Sequence, residues 1–236
     1  MKIAFLSIAT NKYKFYISKL FQSLEKYAFP DRSDDISLIV FTNENIEFTQ
    51  ASRIRGITTA LTHVPFPLIS LLRYHYYYSI KDQLKLFDYV YHLDCDLEFI
   101  KPVSDEILSN RVCVEHPGMN KDYTHRSLFP YDLNPASQAY VQPHLGTCYY
   151  QNCFQGGVSS EFITMCDILK DNIEKDLRNN YIARWHDESY MNCYMSQNPP
   201  SKVLPKIYAY PEKWDHREDI KIVHLDKNHL EMRKTD

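Results

Sequence analysis

Tyr89-Val90-Tyr91-His92-Leu93-Asp94-Cys95-Asp96-Leu97-Glu98-Phe99 decides how the chain is read. Its first half is an unbroken run of aromatic, β-branched and aliphatic residues, the pattern of a buried strand. The strand should end at Asp94, where two carboxylates stand one residue apart. Alternation along an extended chain points Asp94 and Asp96 to the same side. Two like charges that close repel each other unless a cation sits between them. A hard divalent ion suits the position, because it accepts carboxylates on one side and phosphate oxygens on the other. The carboxyl edge of an open α/β sheet is also where such folds bind ligands. Taken alone, the pair fits a solvated turn as well, so the rest of the chain has to decide.

Upstream, Ile3 to Ala9 is apolar and reads as a central parallel strand. A polar turn, Thr10-Asn11-Lys12-Tyr13, leads into a helix to about Tyr27. Its apolar positions Tyr16, Ile17, Leu20, Phe21, Leu24 and Tyr27 recur at helical spacing, and Pro30 closes it. Ile36 to Phe41 is a second strand ending in Thr42-Asn43-Glu44-Asn45. This β-α-β unit implies right-handed, parallel pairing, and its two strand-end turns form a crevice for a base and ribose. Ile57 to Val64 reads as a third strand stopped by Pro65 and Pro67, and Leu68 to Phe87 as one long helix. That helix carries Arg73, near the sheet edge and able to contact a diphosphate or the carboxylate pair. It also carries Tyr74-His75-Tyr76-Tyr77-Tyr78, a density that reads as core packing.

Downstream, a short helix is expected over Asp105 to Ser109 and a strand over Arg111 to Glu115, ending in His116-Pro117-Gly118. Residues 119–147 lack periodicity and read as a long functional excursion. A strand from Tyr149 ends in Gly156-Gly157, a pair that permits positive φ or close approach of a ligand. Glu161 to Leu177 is an amphipathic helix. Trp185-His186-Asp187-Glu188-Ser189 then places two acids at a helix N-terminus. They either complement the dipole there or form a buried carboxylate beside a sugar, with Trp185 as a stacking wall. A last strand is expected near Ile220 to Leu225. The charged end, Glu231 to Asp236, reads as a mobile tail able to bring Lys227 and Arg233 over a diphosphate.

Composition narrows the function. The 236 residues carry a net charge of −3 and no basic run, which excludes a broad cationic face for nucleic acid. Gly numbers only five, without a Rossmann or P-loop fingerprint. The six Cys form no C-x-x-C and read as buried thiols of a reducing compartment. Met-Lys-Ile-Ala-Phe-Leu-Ser-Ile-Ala reads as a first strand and not as a leader. No stretch has the length of a membrane span, so a cytoplasmic protein is expected.

In order along the chain, Asp88-Tyr89 leading to Asp94-Cys95-Asp96-Leu97-Glu98-Phe99, Glu106-Ile107-Leu108, His116-Pro117-Gly118, Ser137-Gln138-Ala139-Tyr140, Tyr149-Tyr150, Gly156-Gly157, Trp185-His186-Asp187-Glu188-Ser189 with Asn192 and Tyr194, Lys202-Val203-Leu204 and Lys227-Asn228-His229 resemble glycosyltransferase family 6. That family holds the blood-group A and B transferases, the α-1,3-galactosyltransferases and soluble bacterial relatives. The resemblance spans nearly the whole chain. It implies an α/β, GT-A-type nucleotide-sugar-binding fold, with a mixed, mostly parallel central sheet flanked by helices. It implies one catalytic domain over 1–236, with 1–100 mainly holding the nucleotide sugar and 101–236 mainly acceptor binding and catalysis. The implied reaction moves galactose or N-acetylgalactosamine from a UDP donor, with retention, into α-1,3 linkage on a galactose-containing, in some cases fucosylated, glycan.

The resemblance also implies residue roles. Ile8, Thr10 and Tyr13 would hold uridine, and Arg73, Asp94, Cys95, Gln151, Asn152, Cys153, Asp187 and Lys227 the rest of the donor. Asp94 and Asp96 would hold manganese (Mn2+) or another divalent cation on the diphosphate. His116, Trp185, Glu188 and Glu212 would face the acceptor, with Glu188 as the catalytic carboxylate under the anomeric carbon. Some bacterial relatives replace the Asp pair by Asn and work without metal; retention of Asp94 and Asp96 implies dependence. Pro130 stands where the family has an acceptor-binding Thr, and Glu212 stands in for a shifted acid. Two alternatives are a UDP-sugar- or glycan-binding protein without turnover, and another Asp-x-Asp transferase family sharing the fold.

Overall fold

A computed structural model of the chain describes residues 1–49, 52–119, 125–215 and 219–234. The apolar run of β1 (Lys2–Ile8) lies at the centre of the sheet and leads through a 3-10 turn at Asn11–Tyr13 into α1 (Lys14–Tyr27). β2 (Asp35–Thr42) and β3 (Ile54–Ala60) add on one side in parallel. β3 thus lies three residues earlier than its apolar pattern suggests. Its start is drawn in by Arg53, whose side chain donates to the carbonyls of Leu24, Glu25 and Ala28 at the end of α1.

The expected single helix from 68 to 87 is instead three short pieces: α2 (Leu68–Leu71), α3 (Arg73–Ser79) and α4 (Lys81–Leu84). Leu71, Tyr74 and Tyr77 are all fully buried, and they recur every three residues. Each such step falls about 60° short of a helical turn. Breaks at Leu72 and Ile80 re-aim the chain and keep the pieces on the core.

β4 (Tyr89–Leu93) follows, parallel to β1, and three residues separate it from β5 (Leu97–Phe99). A 3-10 turn at Asp105–Ile107 replaces the expected helix, then come β6 (Arg111–Glu115), β7 (Tyr150–Val158) and α5 (Ser159–Arg178). α6 (His186–Gln197), β8 (Lys202–Leu204), β9 (Tyr210–Pro211), β10 (Ile222–His224) and α7 (His229–Met232) complete the order. The main sheet runs β3-β2-β1-β4-β7-β6-β8; β7 is antiparallel to both neighbours and the other pairs are parallel. Helices cover both faces. Ile3 and Phe5 of β1 pack with Ile17 and Leu20 of α1, whereas Ala4 and Leu6 join the cluster holding Tyr74, Tyr77, Phe162 and Met165. The mixed, mostly parallel sheet between helices is the architecture expected of a GT-A-type fold.

A second sheet, β5-β10-β9, stands beside the end of β4. It pairs His224 with Leu97 in antiparallel register.

Of two further expectations, one is met in part and one needs correction. The Gly156-Gly157 pair shows the expected positive φ, at Gly157, and the close approach there is by neighbouring strand backbone. A Cβ on Gly156 would stand 2.3 Å from the Val90 carbonyl oxygen, and one on Gly157 (φ +140°) 2.2 Å from that of Asn110. The charged tail is tied down through residue 234: α7 is capped by Asn228, Lys12 donates to the Glu231 carbonyl, and Arg233 lies 3.6 Å over the Phe66 ring. Residues 235–236 of that tail, and 120–124 of the long excursion, lie outside the described residues. The rest of the excursion is irregular, with a 3-10 turn at Arg126–Leu128, yet buries Phe129, Tyr131 and Val141 against Tyr149. Among the described residues, no helix is long and apolar enough to cross a membrane. All six cysteines are buried and unbridged.

Candidate active site

Three strand ends and one helix N-terminus meet at one edge of the sheet. The Asp94 N–H carries the β4–β7 ladder one position further, to the Cys153 carbonyl (2.8 Å), and the Leu97 N–H then closes a turn on the Asp94 carbonyl (3.2 Å). The turn Asp94-Cys95-Asp96 therefore lines a cleft at this edge. Ile8, Thr10, Tyr13, Arg73, Asp94, Cys95, Asp96 and Lys227 line it, so eight of the expected donor residues share one wall system. His63, Phe66, His92, His229 and Arg233 line it too.

The Asp pair is surrounded by basic side chains. The Arg73 Nη1 donates to Asp94 Oδ1 (3.2 Å), and His92 Nε2 lies 3.1 Å from the same oxygen. Tyr77 holds the other His92 nitrogen at 2.6 Å. Asp96 is only 1% exposed; its Oδ2 meets His224 Nε2 at 3.2 Å and is ion-paired with Lys227. Burial is the largest influence on Asp94 and works against its charge. Arg73, His92 and His224 together still hold the carboxyl well below the usual carboxylate range. Asp96 is likewise lowered against burial, by His224 and Lys227. Asp94, Asp96 and His224 each offer a ligand atom within 4.8 Å of the others, so the donor set fits a divalent cation.

The second acidic pair lies at the start of α6. Asp187, buried, receives Arg73 Nε at 2.9 Å and the Asn152 side-chain amide at 2.6 Å. Arg73 thus spans the two acidic pairs, and its Nη1 also donates to the Asn152 carbonyl (3.2 Å). Glu188 has both oxygens held, Oε1 by the Tyr149 hydroxyl (2.8 Å) and Oε2 by the Asn152 N–H (3.0 Å). Burial pushes Asp187 up to about 6 and Glu188 up to about 7, although Arg73 opposes the first shift and the Asn152 and Tyr149 donors oppose the second.

A register shift makes this possible. β6 pairs Cys113 with Gln155 and then Val114 with Gln151, so Asn152, Cys153 and Phe154 bulge out of that ladder. The Asn152 carbonyl and N–H then serve Arg73 and Glu188, and the Cys153 carbonyl takes the Asp94 N–H.

The remaining expected residues are placed unevenly. His116 packs its ring on Tyr149 (5.7 Å), on the Glu188 side, and burial pushes it down to about 4. Trp185 caps α6 with its side chain half exposed. Gln151 reaches His224. Glu212 is exposed and accepts the Asp226 N–H (2.7 Å); it does not line the cleft. Sequence reasoning missed His92, His224 and the role of Tyr149. His92 sits in the quoted stretch as an ionisable residue in a buried strand, a signal that was present. His224 had none, since only the β5–β10 pairing brings it to Asp96.

The family model described as Glycosyltransferase family 6 matches residues 1–234. The chain is 31% identical over 230 residues to the O-antigen biosynthesis glycosyltransferase WbnI of Escherichia coli, covering 96% of this chain and 95% of that protein. It is 33% identical over 150 residues to histo-blood group ABO system transferase 2 of Rattus norvegicus (62% of this chain, 44% of that protein). It is 26% identical over 224 residues to globoside alpha-1,3-N-acetylgalactosaminyltransferase 1 of Mus musculus (91% of this chain, 62% of that protein). The chain thus spans less than half of the rat protein's length.

Proposed function

The chain belongs to glycosyltransferase family 6, and on that premise we propose that it transfers galactose or N-acetylgalactosamine from a UDP donor, with retention, into α-1,3 linkage on a galactose-containing glycan, with manganese as its cofactor. The observation that carries this reading is Arg73. It joins the cation-facing Asp94 to Asp187, one residue from Glu188, and so couples a diphosphate end to a reaction end. The relatives support the substrate class: one is named for O-antigen biosynthesis and another for α-1,3 transfer of N-acetylgalactosamine. Family membership also removes the alternative of a different Asp-x-Asp family.

Asp94 and Asp96 would hold the divalent cation, which when bound would offset the negative charge that develops on departing UDP. Ile8, Thr10 and Tyr13 offer the wall for the base. Lys227, already against Asp96, adds positive charge where the diphosphate would lie. Because Lys227 and His224 come from the C-terminal segment, donor binding draws on both halves of the chain.

Arg73 and Asp187 hold hydroxyls of the donor sugar. Glu188, fixed by two donors, presents its charge beneath the anomeric carbon, as nucleophile or as stabiliser of an oxocarbenium-like charge. His116 accepts the Gly118 N–H on Nδ1 (3.1 Å), so its Nε2 carries the proton and can donate to an acceptor hydroxyl. Trp185 offers an apolar face to a sugar ring. The six buried thiols support a cytoplasmic setting.

The test is an array of UDP-sugars against galactose-terminated acceptors with manganese, with linkage analysis of each product. An α-1,3 product from UDP-galactose or UDP-N-acetylgalactosamine is expected. Absence of both transfer and UDP-sugar hydrolysis across the array would overturn the reading.

A further inference from the structure

We propose that His224 is a third protein ligand of the cation, completing an Asp94–Asp96–His224 donor set whose imidazole is oriented by Gln151. The inference rests on the reading of the Asp pair as a metal clamp and goes beyond it by adding a nitrogen ligand from the opposite end of the chain.

The position of His224 is set by backbone pairing. β10 runs antiparallel to β5 with His224 opposite Leu97, and the next residue, Leu225, donates its N–H to the Asp96 carbonyl (2.9 Å). Both flanks of the imidazole are therefore fixed relative to the Asp96 backbone. Its Nε2 lies 3.2 Å from Asp96 Oδ2, and one atom from each of Asp94, Asp96 and His224 lies within 4.8 Å of the others. Ligand atoms about 2.1–2.2 Å from a shared ion stand about 3–4.4 Å apart, so closing this set needs shifts of a few tenths of an ångström.

Gln151 supplies the second observation. Its amide nitrogen lies 3.1 Å from His224 Nδ1, and its Oε1 is buried without a hydrogen-bond partner among the described residues. The two ends of an amide are assigned from their hydrogen bonds, and turning this amide over brings Oε1 to the place beside His224 Nδ1. Oε1 then accepts the Nδ1–H of His224, and the Nε2 lone pair faces Asp94 and Asp96. An imidazole that ligates a metal through one nitrogen characteristically gives its other N–H to an oxygen in this manner. The donor set also changes the expected metal. Carboxylates alone suit magnesium, calcium and manganese, whereas an added imidazole favours transition ions. Manganese and cobalt should therefore outcompete magnesium and calcium.

Pulsed electron paramagnetic resonance of Mn2+ bound to the full chain, alone and with UDP, reads the nitrogen directly. The expected result is modulation from a coordinated imidazole 14N in the wild type and its loss in His224→Asn. Calorimetry should show Mn2+ affinity about 10-fold or more weaker in that variant, and Gln151→Leu should weaken it by a smaller factor. The preference for Mn2+ over Mg2+ should shrink in parallel. Bound Mn2+ without 14N modulation in the wild type, or modulation that survives His224→Asn, would overturn the assignment while leaving the Asp clamp intact. Failure of the wild type to bind Mn2+ with or without UDP would sink the clamp and the third ligand together. The wild-type spectrum decides the matter even where the variant folds poorly.

Discussion

The molecule holds two acidic pairs within reach of one arginine, and treats them in opposite ways. Asp94 and Asp96 are packed among Arg73, His224 and Lys227, which keep them ionised despite burial. Asp187 shares Arg73 and takes the Asn152 amide, Glu188 takes a phenol and a peptide N–H, and burial outweighs these donors, pushing the two up to about 6 and about 7. The first arrangement suits a fixed anionic platform that exchanges one cation for another. The second keeps a carboxylate poorly solvated and near its titration point, where a transient positive charge on a sugar would be strongly attracted. Residue type does not distinguish the pairs; their neighbours do.

The comparison can be broken in four ways. Glu188→Gln should have the largest effect, lowering turnover about 1,000-fold while UDP affinity, measured by calorimetry, changes less than twofold. An equal loss in UDP affinity would mean that the second pair belongs to donor binding. Asp94→Asn with Asp96→Asn should cost about 100-fold and abolish the response to manganese. A double variant working at full rate in chelator would remove the clamp.

Next in size is a pH effect. kcat/KM should fall as pH drops below about 7 and Glu188 takes up its proton. Tyr149→Phe removes a donor that favours the ionised form, so the acid limb should move to higher pH. An unmoved limb would assign it to another group.

The smallest effect is on stability. The folded pKa of Glu188 lies above its ordinary value of 4.5, so the native state keeps a proton that the unfolded chain releases. The carboxyl therefore costs stability increasingly as pH rises from 4.5 to about 7, and in full above that. Glu188→Gln should stabilise the protein by about 1–3 kcal/mol at pH 8 and by nothing at pH 4. Urea melts at the two pH values would show it.

Much of this arrangement was legible in the chain. Unbroken apolar runs marked β1, β2, β4 and β6, and helical spacing marked α1 and α5, because burial on two faces or one stripe imposes those patterns directly. The Asp pair and the Asp187-Glu188 pair were readable as acids at element ends. Their electrostatic contrast was not, because it depends on Tyr149 and Asn152 reaching across from β7. The breaks at Leu72 and Ile80 were hidden by residues with good helix propensity, and only packing against the sheet enforces them. β10 was visible as an apolar run, but nothing local said that it pairs with β5 and carries His224 to Asp96. Asn152 and Gln151 were placed at the donor without a rule for their roles, which follow from the bulge.

That bulge carries a consequence for what the chain tolerates. Asn152 and Cys153 deliver three carbonyl or amide groups to the site through their backbone, so, apart from the Asn152 amide on Asp187, the geometry there is indifferent to side-chain identity. It is highly sensitive to length. Removing one residue between Gln151 and Gln155 would slip the strand by one position, face inward residues outward, and pull Gly156 and Gly157 away from places where neighbouring carbonyls leave no room for a Cβ. Sequence drift in this segment should therefore proceed by substitution and not by insertion or deletion, and the glycine pair acts as the ruler that fixes its length.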